Sequence, residues 1–257
     1  MTPRASGPEH AALGCAAVLA ALAWLAPATA QTVVVLSSNG VRAPVEDLTM
    51  QCARAAGRPV SVTYGTSASI RQRITGGEAV DAVLATSEVV AELGKGGHLD
   101  SSSSTPLGRA GIGLGIRAGA SRHKIGTAAE IKQALLGARS VAYAADGASR
   151  PHIERMFERL GIAAEMKGKA LLEQGSTRAA EKVVAGDAEI LLTLVSEILP
   201  VEGLELLGPV PAEFQGYISF VGAVGAHAAS RDAARAFIDC VAAPAAAATF
   251  TAQGIER

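Results

Sequence analysis

From Gln31 onward the chain alternates short aliphatic runs with amphipathic segments, and this alternation constrains its fold more than any other feature. Val33–Leu36 reads as a strand. Pro44–Ala55 reads as a helix, with Val45, Leu48, Met50 and Cys52 interleaved with Glu46, Asp47, Gln51 and Arg54. Val60–Tyr64 reads as a second strand, 65–69 as a turn, Ile70–Thr75 as a helix, Ala79–Ala85 as a third strand and Ser87–Lys95 as a third helix. A βαβαβα order implies a parallel sheet covered by helices on both faces. Ligands of such sheets gather beyond the C-terminal ends of the strands, here at the turns 37–40, 65–69 and 85–87.

A second α/β set follows. Residues 101–105 read as a polar surface loop, and the glycine-punctuated stretch Gly111–Arg117 as a strand leaving the first unit. Helices are expected at 127–136, 152–160 and 176–185, with Thr127 as an N-cap and Pro151 in a first turn. Strands are expected at 140–144, 189–194, 204–207 and 217–224, and helices at 231–241 and 245–252. The chain therefore reads as an α/β protein of two lobes with a ligand cleft between them. The expected bounds are 31–115 plus 205–257 for the first lobe and 116–204 for the second, the late strands returning to the first.

Residues 1–30 read as an export signal. The apolar run from Ala11 to Leu25 is short for a membrane span, is broken by Pro27, and ends in the small-x-small pattern Ala28-Thr29-Ala30. A membrane anchor is the alternative. Cleavage leaves Cys52 and Cys240 on predicted helices of one lobe. They read as buried thiols, with a disulfide as the alternative open to an exported protein.

Aromatic residues make up 4% of the chain, so the core is built from Val, Leu, Ile and Ala. The formal net charge of −1 offers no basic field for nucleic acid. No Gly-x-Ser-x-Gly elbow or paired-His metal motif occurs, and His98, His123, His152 and His227 lie far apart. Neither a catalytic constellation nor a cofactor or metal site is expected.

Hydroxyls, by contrast, collect in the strand-to-helix turns: Ser37-Ser38-Asn39-Gly40, Gly65-Thr66-Ser67, Gly147-Ala148-Ser149-Arg150 and Gly175-Ser176-Thr177. A helix N-terminus offers unpaired N–H groups and a partial positive charge, and a Ser or Thr there adds a neutral donor. Several such termini around one cleft bind an anion without a full cation. Each turn alone is also ordinary helix capping. Their recurrence in both lobes makes Ser37, Ser38, Asn39, Thr66, Ser67, Ser149, Ser176 and Thr177 the candidate ligand residues. Ser38, Ser67 and Ser149 stand foremost. Arg42 and Arg150 open helices beside two of the turns and are candidates for pairing with a ligand carboxylate. Arg178 is a weaker candidate of the same kind, and Tyr64 either packs or lines the cleft.

The chain from Val33 onward resembles the molybdate-binding-protein-like group of periplasmic solute receptors, in the type II class. The resemblance is carried by Val33–Leu48, the turn Tyr64-Gly65-Thr66-Ser67-Ala68, the segment Gly77-Glu78-Ala79-Val80-Asp81-Ala82-Val83, the element Gly186-Asp187-Ala188-Glu189-Ile190, and the closing pattern over 233–254. It implies two α/β lobes with an oxyanion enclosed between them by neutral serines and backbone N–H groups. Ser67 keeps one family serine position. The first turn, Ser-Ser-Asn-Gly-Val-Arg, departs from the family, and no family tyrosine stands near Thr193–Glu197. Ser196-Glu197-Ile198-Leu199-Pro200 resembles a divergent branch. The expected function is a monomeric periplasmic receptor that captures a small anion, a di- or tricarboxylic acid, for a membrane ABC permease. A molybdate or tungstate receptor, an exported enzyme on the same fold and a sensory module are the alternatives.

Overall fold

A computed structural model describes residues 31–257. The expected export signal over 1–30 lies outside the described residues.

The first α/β set runs β1 (Val33–Ser38), α1 (Arg42–Ala56), β2 (Val60–Gly65), α2 (Ser67–Thr75), β3 (Ala82–Thr86) and α3 (Ser87–Lys95). β1 is buried along nearly its whole length, as a β-branched run between two parallel neighbours must be. Thr66 and Thr86 cap α2 and α3 by accepting hydrogen bonds from the Ser69 and Val89 amides. The expected loop over 101–105 is instead a short 3-10 turn at Ser101–Ser103, capped by Asp100, with Ser103 buried.

The long β4 (Thr105–Arg117) leads into α4 (Ala128–Gly137), β5 (Val141–Ala144), α5 (Arg150–Leu160), α6 (Ala163–Lys167), β6 (Ala170–Glu173), α7 (Ser176–Ala185), β7 (Ile190–Leu194), α8 (Val195–Ile198) and β8 (Leu204–Pro209). The chain closes with β9 (Tyr217–Val224), α9 (Arg231–Ala242), α10 (Ala247–Ala252) and β10 (Ile255–Glu256).

The strand order is β2-β1-β3-β9-β4-β7-β5-β6, with β8 and β10 also on β4. β4 serves both halves. Its first part, Thr105–Gly111, pairs with β9, and its second, Ile112–Ile116, with β7. At the crossing, the Gln215 side-chain amide takes both backbone groups of Ile112, at 2.6 and 3.0 Å. That keeps the strand's polar groups satisfied where it leaves one neighbour for another.

The strand over 204–207, expected to return to the first lobe, differs. β8 pairs with Gly113–Arg117 of β4 and lies with β5, β6 and β7. The reason is the length of β4: its second half, paired with β7 on one edge, leaves the other edge for β8. β9 does return, between β3 and β4.

The two cysteines also differ from the expected free thiols. Cys52 on α1 and Cys240 on α9 form a disulfide, their Cα atoms 5.5 Å apart. α1 and α9 pack side by side, and that brings the two residues within bridging distance across 188 positions.

Candidate functional site

The turns after β1, β2, β3, β5 and β7 and the start of α7 meet between the lobes. They enclose a cavity of which about 20 Å³ is open to a water-sized molecule. Ser38, Thr66, Ser67 and Thr86 reach it from the first lobe, and Ser149, Ser176, Thr193 and Glu197 from the second; Phe220 of β9 closes one side. Phe220 can sit there because residue 40 is glycine. A Cβ at Gly40 would lie 2.3 Å from the Phe220 ring.

The hydroxyls divide by what their hydrogens do. Thr66 donates to Asp146 Oδ2, Ser176 to Glu197 Oε1 (both 2.8 Å) and Thr193 to Glu197 Oε2. Ser38 and Ser67 only accept, from the Gly40 amide at 3.3 Å and the Thr86 amide at 3.1 Å. Ser149 makes no side-chain capping bond. Among the described residues, four buried hydroxyls that line the cavity therefore keep a hydrogen free to donate to a ligand: Ser38, Ser67, Ser149, and Thr86, whose oxygen only accepts from the Val89 amide.

Two lobe-to-lobe bonds hold this arrangement. One is Thr66 to Asp146, whose other oxygen accepts from the Gly175 amide at 2.9 Å. Gly175 has φ +83°, a left-handed conformation suited to glycine, and this turns its N–H toward Asp146 at the start of α7. The other bond runs from Ser196 Oγ to the Gly40 carbonyl, 2.8 Å.

The remaining candidates lie elsewhere. Asn39, Arg42 and Thr177 line a more open pocket of about 530 Å³ beside the cavity, which shares Ser176 and Glu197 with it. Ser37 is fully buried, and its hydroxyl turns back to the Ser38 carbonyl at 3.4 Å. The expectation that Arg42 and Arg150 reach a ligand carboxylate meets a different geometry. Arg42 pairs with Glu46, one turn along its own helix, and covers the Tyr64 ring at 5.0 Å. Arg150 pairs with Glu154 in the same way and donates to the Ala145 carbonyl. Arg178 lies with Glu173, Glu181 and Lys182 around a separate surface pocket. Tyr64 packs rather than lining the cavity, and its phenol is pushed up to about 12, chiefly by burial and then by Glu46.

Sequence reasoning pointed to the 85–87 turn without naming Thr86, and missed Glu197, Thr193 and Asp146. Burial raises the Glu197 carboxyl above the ordinary carboxylate range. Bonds from Thr193 and Ser176 oppose that shift, and the charge of Asp146 adds to it. Among the described residues, no group of three or more His, Cys, Asp or Glu side chains is placed to hold a metal ion. The cavity is thus a set of neutral donors with one buried carboxyl group, suited to holding a small anion in a dry cleft.

Three comparisons bear on this geometry. Residues 33–256 match the family described as bacterial extracellular solute-binding protein. Over 251 residues the chain is 28% identical to an aconitate isomerase of Pseudomonas sp, with 95% of each chain covered. The periplasmic molybdate-binding protein of Azotobacter vinelandii superposes with a TM-score of 0.73 at 16% identity, over 88% of this chain and 99% of that one. The sulfate-binding protein SubI of Mycobacterium tuberculosis H37Rv does so with a TM-score of 0.66 at 18% identity, over 88% and 86%. At such identities the likeness is one of fold, the two-lobed α/β architecture of periplasmic binding proteins. With the family match spanning nearly all described residues, the chain belongs to the bacterial extracellular solute-binding proteins.

Proposed function

We propose that this protein is a periplasmic receptor, exported by cleavage after Ala30, that captures a small di- or tricarboxylic acid and presents it to an ABC permease. The carrying observation is the cavity between the lobes. Ser38 and Ser67 from one side and Ser149 from the other each hold an uncommitted O–H there, with the first turns of α2, α5 and α7 around them. Neutral donors in a closed space favour an anion, and lobe closure is the expected mode of capture. The relative named for aconitate, a tricarboxylate, supports an organic acid over molybdate. The arginines no longer bear on that choice. Such a ligand needs more room than the cavity's volume of about 20 Å³, so the lobes must sit further apart around it.

Titration calorimetry with citrate, cis- and trans-aconitate, succinate, molybdate, tungstate and sulfate tests the reading. Tight binding of a polycarboxylate is expected. Tight binding of molybdate or tungstate alone would return the chain to the oxyanion receptors.

The same relative favours a second reading, an isomerase of an unsaturated tricarboxylate on the same fold. Proton NMR of cis- and trans-aconitate after prolonged incubation separates the two. Ligand recovered unchanged supports the receptor; interconversion supports the enzyme.

A further inference from the structure

The cavity holds a carboxyl group that an anion receptor does not call for. Glu197 sits among the donors, its two oxygens accepting from Ser176 and Thr193. Among the described residues, no cation lines the cavity, and Arg178 and Lys182 of α7 lie at the separate surface pocket. Asp146, on the turn after β5, is itself acidic and is bonded to Thr66 and Gly175. From α1, Arg42 is held by Glu46. α7 brings Glu181 to the adjoining pocket, and Glu202 follows α8. Among the strands packed on α8, β7 has no charged residue and β8 has Glu205, paired with Arg122. On β4, Arg109 pairs with Glu256 and Arg117 lies against Gly186. An ionised Glu197 beside a bound anion would place two like charges in a closed space, where neither is well solvated.

We propose that the cavity closes on its anion only with Glu197 protonated, so that capture takes up one proton and Glu197 becomes a further hydroxyl donor facing a ligand carboxylate. The proton comes from solvent and stays on the carboxyl oxygen that faces the ligand. The oxygens' remaining lone pairs keep the bonds from Ser176 and Thr193. An O–H···O⁻ bond of this kind is among the stronger hydrogen bonds. Burial, which already raises the Glu197 carboxyl, acts in the required direction. The ligand class rests on the carboxylate reading above; the proton coupling does not.

The test is calorimetry with citrate, cis-aconitate, trans-aconitate, sulfate and molybdate from about pH 5 to 9, in paired buffers of different ionisation enthalpy. For the wild type, Kd should rise about tenfold per pH unit at the alkaline end, with about one proton taken up per ligand bound. Glu197→Gln, whose amide donates without a proton, should lose the alkaline slope and bind more tightly than the wild type at pH 8. A polycarboxylate bound with a flat Kd and no proton uptake overturns the coupling and leaves the carboxylate reading standing. An oxyanion alone, bound with proton uptake, does the reverse. If no probe binds, the carboxylate reading falls. The Glu197 carboxyl-carbon NMR resonance, assigned by its loss in Glu197→Gln, then decides the coupling. Titration in the ordinary carboxylate range overturns it; titration above that range upholds it. Should Glu197→Gln not fold, proton uptake by the wild type alone carries the test.

Discussion

Thr66 Oγ1 donates a 2.8 Å hydrogen bond to Asp146 Oδ2, across 80 residues and from one lobe to the other. The second Asp146 oxygen holds the Gly175 amide. One carboxylate thus ties together the starts of α2 and α7 and belongs to the turn that leads into α5. Asp146→Ala strands two donors, which should destabilise the closed arrangement by about 1–3 kcal/mol. Small-angle scattering of the ligand-free variant should show a more open particle than the wild type. An unchanged profile with unchanged ligand affinity would refute the tie.

Ser67→Ala and Ser149→Ala each remove an uncommitted donor from opposite sides of the cavity. Each should weaken binding of the cognate anion by about 1–3 kcal/mol. Calorimetry that finds both variants within error of the parent would place the ligand elsewhere.

Arg42→Ala and Arg150→Ala should behave differently. Each guanidinium is committed to a surface glutamate one helical turn away. Pairs of that kind contribute about 0.3–0.5 kcal/mol. Both variants should keep ligand affinity within a factor of about two and lose little stability in urea. A loss of binding above tenfold in either would mean that its guanidinium swings to the ligand on closure.

Reducing the Cys52–Cys240 disulfide frees a loop spanning most of the described chain. Urea unfolding with and without reductant should differ by about 2–5 kcal/mol. A Cys52→Ser, Cys240→Ser variant should match the reduced protein. Coincident curves would show that α1–α9 packing holds without the bridge.

Glu197 also sets a pH trend in stability. Its folded pKa is raised, so its contribution is fully present below the unfolded glutamate value of about 4.3 and is lost as pH rises through the folded value. Relative to the wild type, Glu197→Gln should therefore gain stability between about pH 4 and pH 8. Chemical denaturation at both ends reads this directly. A constant difference would show that the carboxyl is not desolvated in the folded state.

Several elements were legible because their signals are local. The helix Ser87–Lys95 has the bounds its apolar spacing predicts, and Thr127 caps α4 by accepting from the Glu130 amide as expected. The arginine pairings were legible too and were passed over: Arg42–Glu46 and Arg150–Glu154 both stand at the i,i+4 spacing that favours a pair on a helix. β6, four residues between Lys169 and Gln174, is too short for its alternation to stand out. Glu197 lies in the stretch 196–200 that carries part of the family resemblance, but α8 is a single turn, and nothing local to it shows that the carboxyl is buried in the cavity.

By itself the sequence determined the order of strands and helices, the absence of a basic face, and the placement of hydroxyls at the strand-to-helix turns. Periodicity and capping act between residues a few positions apart, so those features are written along the chain. Only the tertiary structure decided which turns share a cavity. It set Ser38, Ser67 and Ser149 free to donate while Thr66, Ser176 and Thr193 were bonded to carboxylates. It also paired Cys52 with Cys240 and moved β8 to the second lobe. Those outcomes depend on strand order and on the approach of two lobes, which bring together residues from 38 to 220 whose separation along the chain carries no trace of their contact.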